Sequence, residues 1–462
     1  MSAVTDPLAA RFAAAGHALY LVGGPVRDAL LGRETNDLDF TTDARPETIL
    51  ELISPLGATW TMGMEFGTVG VQVDGHRCEI TTFRSDSYDA TSRKPEVAFG
   101  DTIEGDLGRR DFTVNAMAVA LPVDAAKPIV DPYGGLDDLI AKQLRTPITA
   151  EQSFDDDPLR MLRAARFAAQ LGFDVVPEVV EAIRSMASRI EIVSAERIRD
   201  ELTKLICSPD PRRGLELLVE TGLIAYCLPE VGRLTETVDE HRRHKDVYAH
   251  TLTVLEQAMA LEPDGPDLVL RMAALLHDIG KPKTKSIEPG GKVSFHHHEV
   301  VGASMTKQRM AALRYPKDVI DDVARLVELH LRFHGYSGGT WTDAAVRRYV
   351  RDAGPLLGRL HLLTRSDCTT RNARKARALA AAYDSLEQRI EELAAQEDLD
   401  RIRPDLDGNE IMAELGLAPG PLVGKAYQHL LALRMERGPM SREEALAALH
   451  EWAADQDIVT ID

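Results

Sequence analysis

Over residues 1 to about 150, apolar residues come in short runs broken by glycine and aspartate turns: "ALYLVGG", "NDLDFTT", "GTVGVQVDG" and "RCEITTF". Runs of this length, β-branched and partly alternating, predict strands interspersed with helices. After Phe154 the period changes. "DDDPLRMLRAARFAAQLGF", "VPEVVEAIRSMASRI", "SAERIRDELTKLICS" and "DPRRGLELLVETGLIAYCL" repeat at helical spacing, with Asp, Ser or Pro near their starts. From there to the end the pattern predicts helices almost exclusively. The expected fold class is multidomain α+β: an N-terminal α/β head with a mixed sheet and helices, then all-α segments. Shifts in pattern place boundaries near 150, 235 and 395, giving segments 1–150, 151–235, 236–395 and 396–462.

The length of 462 residues exceeds one hydrophobic core and agrees with several domains. No apolar run reaches the length of a membrane span. The first sixteen residues lack the charged and apolar blocks of a secretion signal. Four scattered cysteines, Cys78, Cys207, Cys227 and Cys368, suit a reducing compartment and show no zinc-type spacing. The expectation is a cytoplasmic protein with no membrane contact and no obligate protein partner. A net charge of −19 excludes a uniformly basic surface, but nucleic-acid binding needs only a local stripe. Residues 347–377 supply one candidate, nine Arg/Lys against two Asp, with Arg371, Arg374 and Lys375 at its end.

Candidate chemistry begins at "LVGGPVRDALLGRETNDLDF", Leu21 to Phe40. Side chains alternate along a strand, so Asp37 and Asp39 share one face while Leu38 and Phe40 face the core. Upstream, a strand runs into Gly23-Gly24, and Pro25 suits the first turn of a helix. A glycine turn at a helix N-terminus, with Arg27 in the first turn, is a phosphate cradle. Two carboxylates able to hold divalent metal beside a triphosphate cradle point to phosphoryl transfer, with Mg²⁺ the expected ion. Glu79 in "CEITTFR" is a candidate third acid on a neighbouring strand.

This stretch resembles the signature of the bacterial tRNA CCA-adding enzyme and poly(A) polymerase family. "RRDFTVNAMA", "DPYGGLDDL", "DDPLRMLRAARFAAQLGF" and "SAERIRDEL" resemble its later motifs, in family order, over about the first 205 residues. The resemblance implies a nucleotidyltransferase head and a helical neck. It implies that Gly23, Gly24, Arg27, Arg110, Asp111, Asn115, Asp157, Arg160 and Arg163 bind the nucleotide. It also implies tRNA, CTP and ATP as partners.

"DDPLR" departs from the family's Glu-Asp-x-x-Arg only in having Asp156 first. Asp157 and Arg160, three apart, are expected on one helix face. A carboxylate accepts and a guanidinium donates. Cytosine and adenine each offer an amino donor beside a ring acceptor and fit such a pair, whereas uracil and guanine set acceptor against acceptor. A mismatched buried group costs about 1–3 kcal/mol. Asp157 and Arg160 therefore read as an amino-acid template for C and A.

A second constellation lies in the helical half. "AALLHDIGKPKT" holds His277-Asp278; His250 lies upstream, and His298, His330 and Asp367 lie downstream. This order resembles the HD phosphohydrolase superfamily, which implies His250, His277, Asp278 and Asp367 as metal ligands, with His298 and His330 as those of a second metal. Imidazole with carboxylate suits Mn²⁺, Ni²⁺, Fe²⁺ or Zn²⁺. His296, His297 and His334 read as loop or helix-end residues. The glycines of "PDLDGNEIMAELGLAPGPLVGKAYQHLL", with Lys425, read either as helix caps or as a backbone contact for RNA.

The expected activity is template-independent addition of C, C and A to the tRNA 3′ end, with pyrophosphate released. The alternatives are a poly(A) polymerase, an enzyme restricted to CC or A, and an HD phosphohydrolase acting on RNA ends or nucleotides. By the same resemblance, "WTMGMEFGTVGVQV" lacks the Arg-rich run of bacterial poly(A) polymerases. A full-length loop between Phe83 and Phe99 favours addition of A as well as C.

Overall fold

Six strands form the sheet that carries the paired aspartates: β1 (Leu19–Val22), β2 (Asp37–Thr42), β3 (Thr59–Trp60), β4 (Thr68–Val73), β5 (His76–Thr82) and β8 (Ala118–Leu121). Between the last two, β6 (Arg84–Ser87) and β7 (Glu96–Phe99) form a separate antiparallel pair. The sheet order is β3-β4-β5-β2-β1-β8. Only β2 and β5 run parallel, so the sheet is mixed, as expected. The computed structural model describes residues 2–87, 96–100, 102–123, 129–237, 246–289, 293–333, 336, 341–370, 372–397, 402–456 and 458. The chain divides into two compact units, Met1–Gly232 and Arg233–Asp462.

The helices of the first unit are α1 (Ser2–Ala14), α2 (Gly24–Leu30), α3 (Pro46–Ile53), α4 (Ile103–Gly108), α5 (Gly135–Ala141), α6 (Ala150–Asp156), α7 (Leu159–Leu171), α8 (Pro177–Met186), α9 (Ala195–Ile206) and α10 (Pro211–Glu220), before two single turns. Their starts follow from local chemistry. Thr102, Thr149, Ser194 and Asp210 cap α4, α6, α9 and α10 through their side chains, and proline opens α3, α8 and α10. The sheet has one dry face. Leu38 and Phe40, Val69, Val71 and Val73, and Cys78 and Ile80 are buried, and α1 and α3 pack there through Leu8, Phe12, Ile49 and Ile53. The opposite face carries Asp37 and Asp39, which are exposed. Later in the same unit, α7 is buried along almost its whole length and packs against α9 and α10.

The second unit is helical. Its longer helices are Val247–Leu261, Leu268–Leu276, His298–Ala312, Lys317–Leu329, Asp343–Ala353, Leu357–Ser366 and Ala373–Gln396, then Gly408–Leu415, Pro421–Arg437 and Arg442–Asp455. The last three close a small core of their own around Leu406, Ile411, Leu415, Leu430 and Leu449. Gly408 opens one of them, Gly416 closes it, and Gly420 precedes the next, so these glycines punctuate helices. Short strands interrupt the helical pattern predicted after Phe154: in the first unit Asp174–Val175, paired with Gln143–Leu144, and in the second Ser286–Ile287 with Val293–Ser294. Two-residue ladders are too short to leave a period in sequence. No helix among the described residues is long and apolar enough to cross a membrane.

Candidate functional site

In the first unit, strand register brings three acids together. Asp39 lies beside Glu79 and Asp37 beside Arg77 across the parallel β2–β5 pair. Period-two alternation puts all four side chains on the sheet face away from α1 and α3. The Arg77 guanidinium holds the Glu79 carboxylate at 2.8 Å. Asp39 is open to solvent on one side but walled by protein on the others. That loss of water raises its pKa above the usual carboxylate range; Arg110 opposes the rise, and Glu79 and Asp37 add to it. A carboxylate strained by its own kind on a solvent-open face fits a divalent cation, which would be held by Asp37 and Asp39 with Glu79 beside them.

The glycine turn lies at the end of β1, next to β2. Gly23 has φ +75°, a left-handed conformation that favours glycine, and the Arg110 guanidinium lies 2.7 Å from where a Cβ would stand. Arg27, buried in α2, donates to Asn115 Oδ1 at 2.6 Å and to Asp28. Asn115 in turn donates to Asp111 Oδ1 at 2.9 Å, and Arg163 donates twice to Asp111 Oδ2 at 2.8 and 2.6 Å. Burial would raise the Asp111 pKa, but Arg163, Asn115 and Arg160 overcome it and hold the carboxyl well below its usual range. The guanidiniums of Arg27, Arg163 and Arg166 all lie against the Phe167 ring. The Nε of Arg110 is buried with no hydrogen-bond partner among the described residues. The structure thus brings Gly23, Gly24, Arg27, Arg110, Asp111, Asn115 and Arg163 into one cationic recess suited to phosphate.

Asp157 and Arg160 differ from the expected pair on one helix face. Asp157 is extended (φ −146°, ψ 99°) in the link between α6 and α7, because a residue preceding proline is driven out of the helical region by Pro158. Its carboxylate accepts from the Leu159 N–H and pairs with Arg197 at 2.7 Å. Arg160 is buried in the first turn of α7 and donates to Ser153 Oγ at 2.9 Å and to the Arg109 carbonyl at 2.5 Å. The two side chains are held separately, each by its own partners. Sequence reasoning missed these partners, along with Glu201, which pairs with Arg163 and Arg166. Glu201 and Arg197 both lie in the quoted "SAERIRDEL", which reads as a helix resembling a family motif, with neither residue singled out.

In the second unit, His250, His277 and Asp367 gather their ligand atoms within 4.8 Å of one another, and Asp278, His298 and His330 do the same. Asp278 spans both groups. Its Oδ2 lies 3.2 Å from His277 Nε2 and 3.6 Å from His250 Nε2, and its Oδ1 lies 3.3 Å from His298 Nε2. The Nδ1 atoms of His277, His298 and His330 lie 2.8, 2.7 and 2.6 Å from the carbonyls of Ala274, Phe295 and Val327. A carbonyl only accepts, so each Nδ1 carries a proton and the Nε2 of each ring is left to face the carboxylates. The buried Nε2 atoms of His277 and His298 meet no well-aligned hydrogen-bond partner. Lone pairs converging on carboxylates fit divalent cations, and backbone bonds behind the rings are the usual supports of metal-bound histidines. Burial, with His277 and His298 beside it, pushes His330 down to about 3, so it stays neutral at physiological pH. Lys281, in the quoted "HDIGKPKT" but not singled out there, is buried with its Nζ 2.8 Å from Asp278 Oδ2.

Other candidates fall outside these clusters. His296 and His297 are exposed on the approach to His298. Arg374 and Lys375 are exposed in the first turn of Ala373–Gln396. Arg371, His334 and residues 88–95 of the loop between Phe83 and Phe99 lie outside the described residues.

Three family descriptions match the chain: "Poly A polymerase head domain" over residues 19–145, "Probable RNA and SrmB- binding site of polymerase A" over 172–234, and "HD domain" over 247–390. The chain is 34% identical over 444 residues to an A-adding tRNA nucleotidyltransferase of Deinococcus radiodurans, covering 94% of this chain and 95% of that protein. It is 32% identical over 445 residues to a CC-adding tRNA nucleotidyltransferase of Thermus thermophilus, covering 94% of each. Its fold is similar to that of the Bacillus stearothermophilus CCA-adding enzyme in complex with CTP, with a TM-score of 0.70, 25% identity and 97% of each chain covered.

Proposed function

The chain belongs to the tRNA nucleotidyltransferase and poly(A) polymerase family, and from that premise we propose that it builds the 3′-terminal CCA of tRNA from CTP and ATP without a nucleic-acid template. The observation that carries this reading is the juxtaposition in the first unit of an open carboxylate face, Asp37 and Asp39, with the cationic recess around Gly23, Arg110 and Arg163. The recess would bind and orient the triphosphate, with Arg27, Asp111 and Asn115 fixing its walls. The terminal 3′-hydroxyl of the RNA would attack the α-phosphorus, and the bond from that phosphorus to the departing pyrophosphate would break. The reaction is divalent-metal dependent; we assign Mg²⁺, which when bound would lower the pKa of the hydroxyl and neutralise charge on the phosphates. Asp157 and Arg160, held apart by Arg197 and Ser153, would set acceptor and donor positions against the incoming base. Residues 1–150 then form the head, 151–235 the neck, 236–395 the HD-type domain and 396–462 the tail. The four free cysteines support a cytoplasmic setting.

A narrower reading, addition of CC or of A alone, is favoured by one observation: two relatives that match along almost their whole length are named for A addition and for CC addition. One experiment separates the readings. RNA lacking its 3′ CCA is incubated with Mg²⁺ and labelled CTP, ATP, UTP or GTP, singly and mixed. Three residues ending in A support full CCA addition; CC or a single A supports the narrower reading; a long A tract supports poly(A) synthesis. No incorporation refutes all three.

A second activity, metal-dependent hydrolysis of a phosphate or 2′,3′-cyclic phosphate end, rests on the cluster of six ligand side chains that includes Asp278. A transition-metal ion such as Mn²⁺, Ni²⁺, Fe²⁺ or Zn²⁺ suits them, with His298 and His330 included. Release of inorganic phosphate from a phosphorylated end, or opening of a 2′,3′-cyclic phosphate to a 2′- or 3′-phosphomonoester, lost on chelation and restored by one of these ions, is the test.

A further inference from the structure

We propose that the recess lined by Trp60, Met62, Gln72 and Arg77 receives the unstacked base at the 3′ end of the acceptor RNA, with Trp60 as its stacking platform. The inference rests on the nucleotidyl-transfer reading of the carboxylate face. Its first support is register. Trp60 lies opposite Gly70, Gly70 opposite Glu79, and Glu79 beside Asp39. The next row runs from Gln72 through Arg77 to Asp37. Residues in one row across a sheet share a face, so Trp60 stands on the same surface as the carboxylates.

The second support is the position of the indole. A Cβ on Gly70 would come within 1.9 Å of the Trp60 ring, so the ring lies flat over that glycine, leaning toward Glu79. Strands lie about 4.8 Å apart, which puts Gly70 two strands, or about 10 Å, from Asp39. A single nucleotide can bridge that span, with its 3′ oxygen at the carboxylates and its base over the ring. The recess has a volume of about 380 Å³. The Arg77 guanidinium lies 5.1 Å from the ring centroid, and Met62 is 90% exposed at the rim. An aromatic face, a guanidinium, an amide and a thioether are the chemistry of base stacking without sequence readout.

The third support is sidedness. The Gly23 turn ends β1, on one side of β2, while β3 and β4 lie on the other. In phosphoryl transfer the attacking and leaving oxygens are roughly in line on opposite sides of the phosphorus. A triphosphate over the β1 side therefore leaves the β3–β4 side to the RNA.

The test measures kcat and KM, separately for RNA and for nucleotide, with the full chain carrying Trp60→Ala, Trp60→Phe or Met62→Glu. Two acceptors are used, one normal and one with an abasic 3′-terminal residue. Trp60→Ala should lower kcat/KM for the normal RNA about tenfold or more, leave the nucleotide KM within about twofold, and be largely rescued in Trp60→Phe. Met62→Glu, at a position too exposed to affect folding, should also weaken RNA use. The abasic end should cost the wild type a factor like that of Trp60→Ala and cost the variant little more. An unchanged kcat/KM for RNA, an equal rise in nucleotide KM, or equal sensitivity of both proteins to the abasic end overturns the proposal. A wild type that adds no nucleotide refutes the transfer reading itself, before any variant is made.

Discussion

The carboxylate face of the first unit and the histidine cluster of the second solve the same problem, gathering candidate metal ligands, in opposite ways. Asp37 and Asp39 stand on one strand, exposed, with an arginine-lined recess next to them. Their spacing comes from β-sheet register, and the open face suits a large substrate. The histidine cluster is buried at helix ends, and its rings are fixed from behind by backbone carbonyls. There the ligands are pre-positioned, and Asp278 links two groups. An open, acidic, oxygen-only site favours a hard, exchangeable ion; an enclosed, imidazole-rich site favours a softer ion held more tightly.

The sharpest way to break this contrast is to remove one site at a time. Asp39→Asn should lower nucleotide incorporation about a thousandfold or more while phosphate release by the histidine site stays unchanged. Parallel losses in both assays would refute the separation. His277→Ala should lower phosphate release and transition-metal affinity about a hundredfold, with nucleotide addition unaffected. Metal titration calorimetry and the two rate assays check it.

A smaller effect concerns the wall of the recess. Asp111→Asn takes the buried carboxylate away from Arg163, which is partly exposed and keeps Glu201 as a partner, and should cost about 2 kcal/mol of stability, read from urea unfolding at neutral pH. Its pH dependence has a fixed sign. The folded pKa of Asp111 lies below its unfolded value, so its contribution is complete above that value and is lost as pH falls toward the folded one. The stability gap between wild type and Asp111→Asn should therefore narrow below about pH 4. A gap that stays constant would show that Asp111 acts by packing alone. The smallest effect is expected on the second unit's surface. Neutralising Arg374 and Lys375 should reduce the salt dependence of RNA binding by about one in log–log slope for each charge that contacts phosphate, and by none if that stripe is only solvated.

Much of both sites was legible in the sequence, for different reasons. The face shared by Asp37 and Asp39 follows from strand periodicity alone, and Leu38 and Phe40 are indeed buried. The ligand order His250, His277-Asp278, Asp367 needs only helices that converge. What failed was geometry that depends on a neighbour. Asp157 left the helix because Pro158 follows it, a signal present in "DDPLR" but outweighed there by the spacing. The partners Ser153, Arg197 and Glu201 were hidden because tertiary pairing has no period. In the sequence Trp60 shows only as part of "WTMGMEFGTVGVQV", since its place in the row of Glu79 and Asp39 exists only once β3, β4 and β5 are paired.

Selection of the base by side chains alone is tested most directly by comparing kcat/KM for CTP and for UTP on 3′-truncated RNA, in the wild type and in Arg160→Ala. The wild type should prefer CTP strongly, and the variant should lose about tenfold or more of that preference while still adding nucleotide. A preference left intact in the variant would contradict a template built from Asp157 and Arg160.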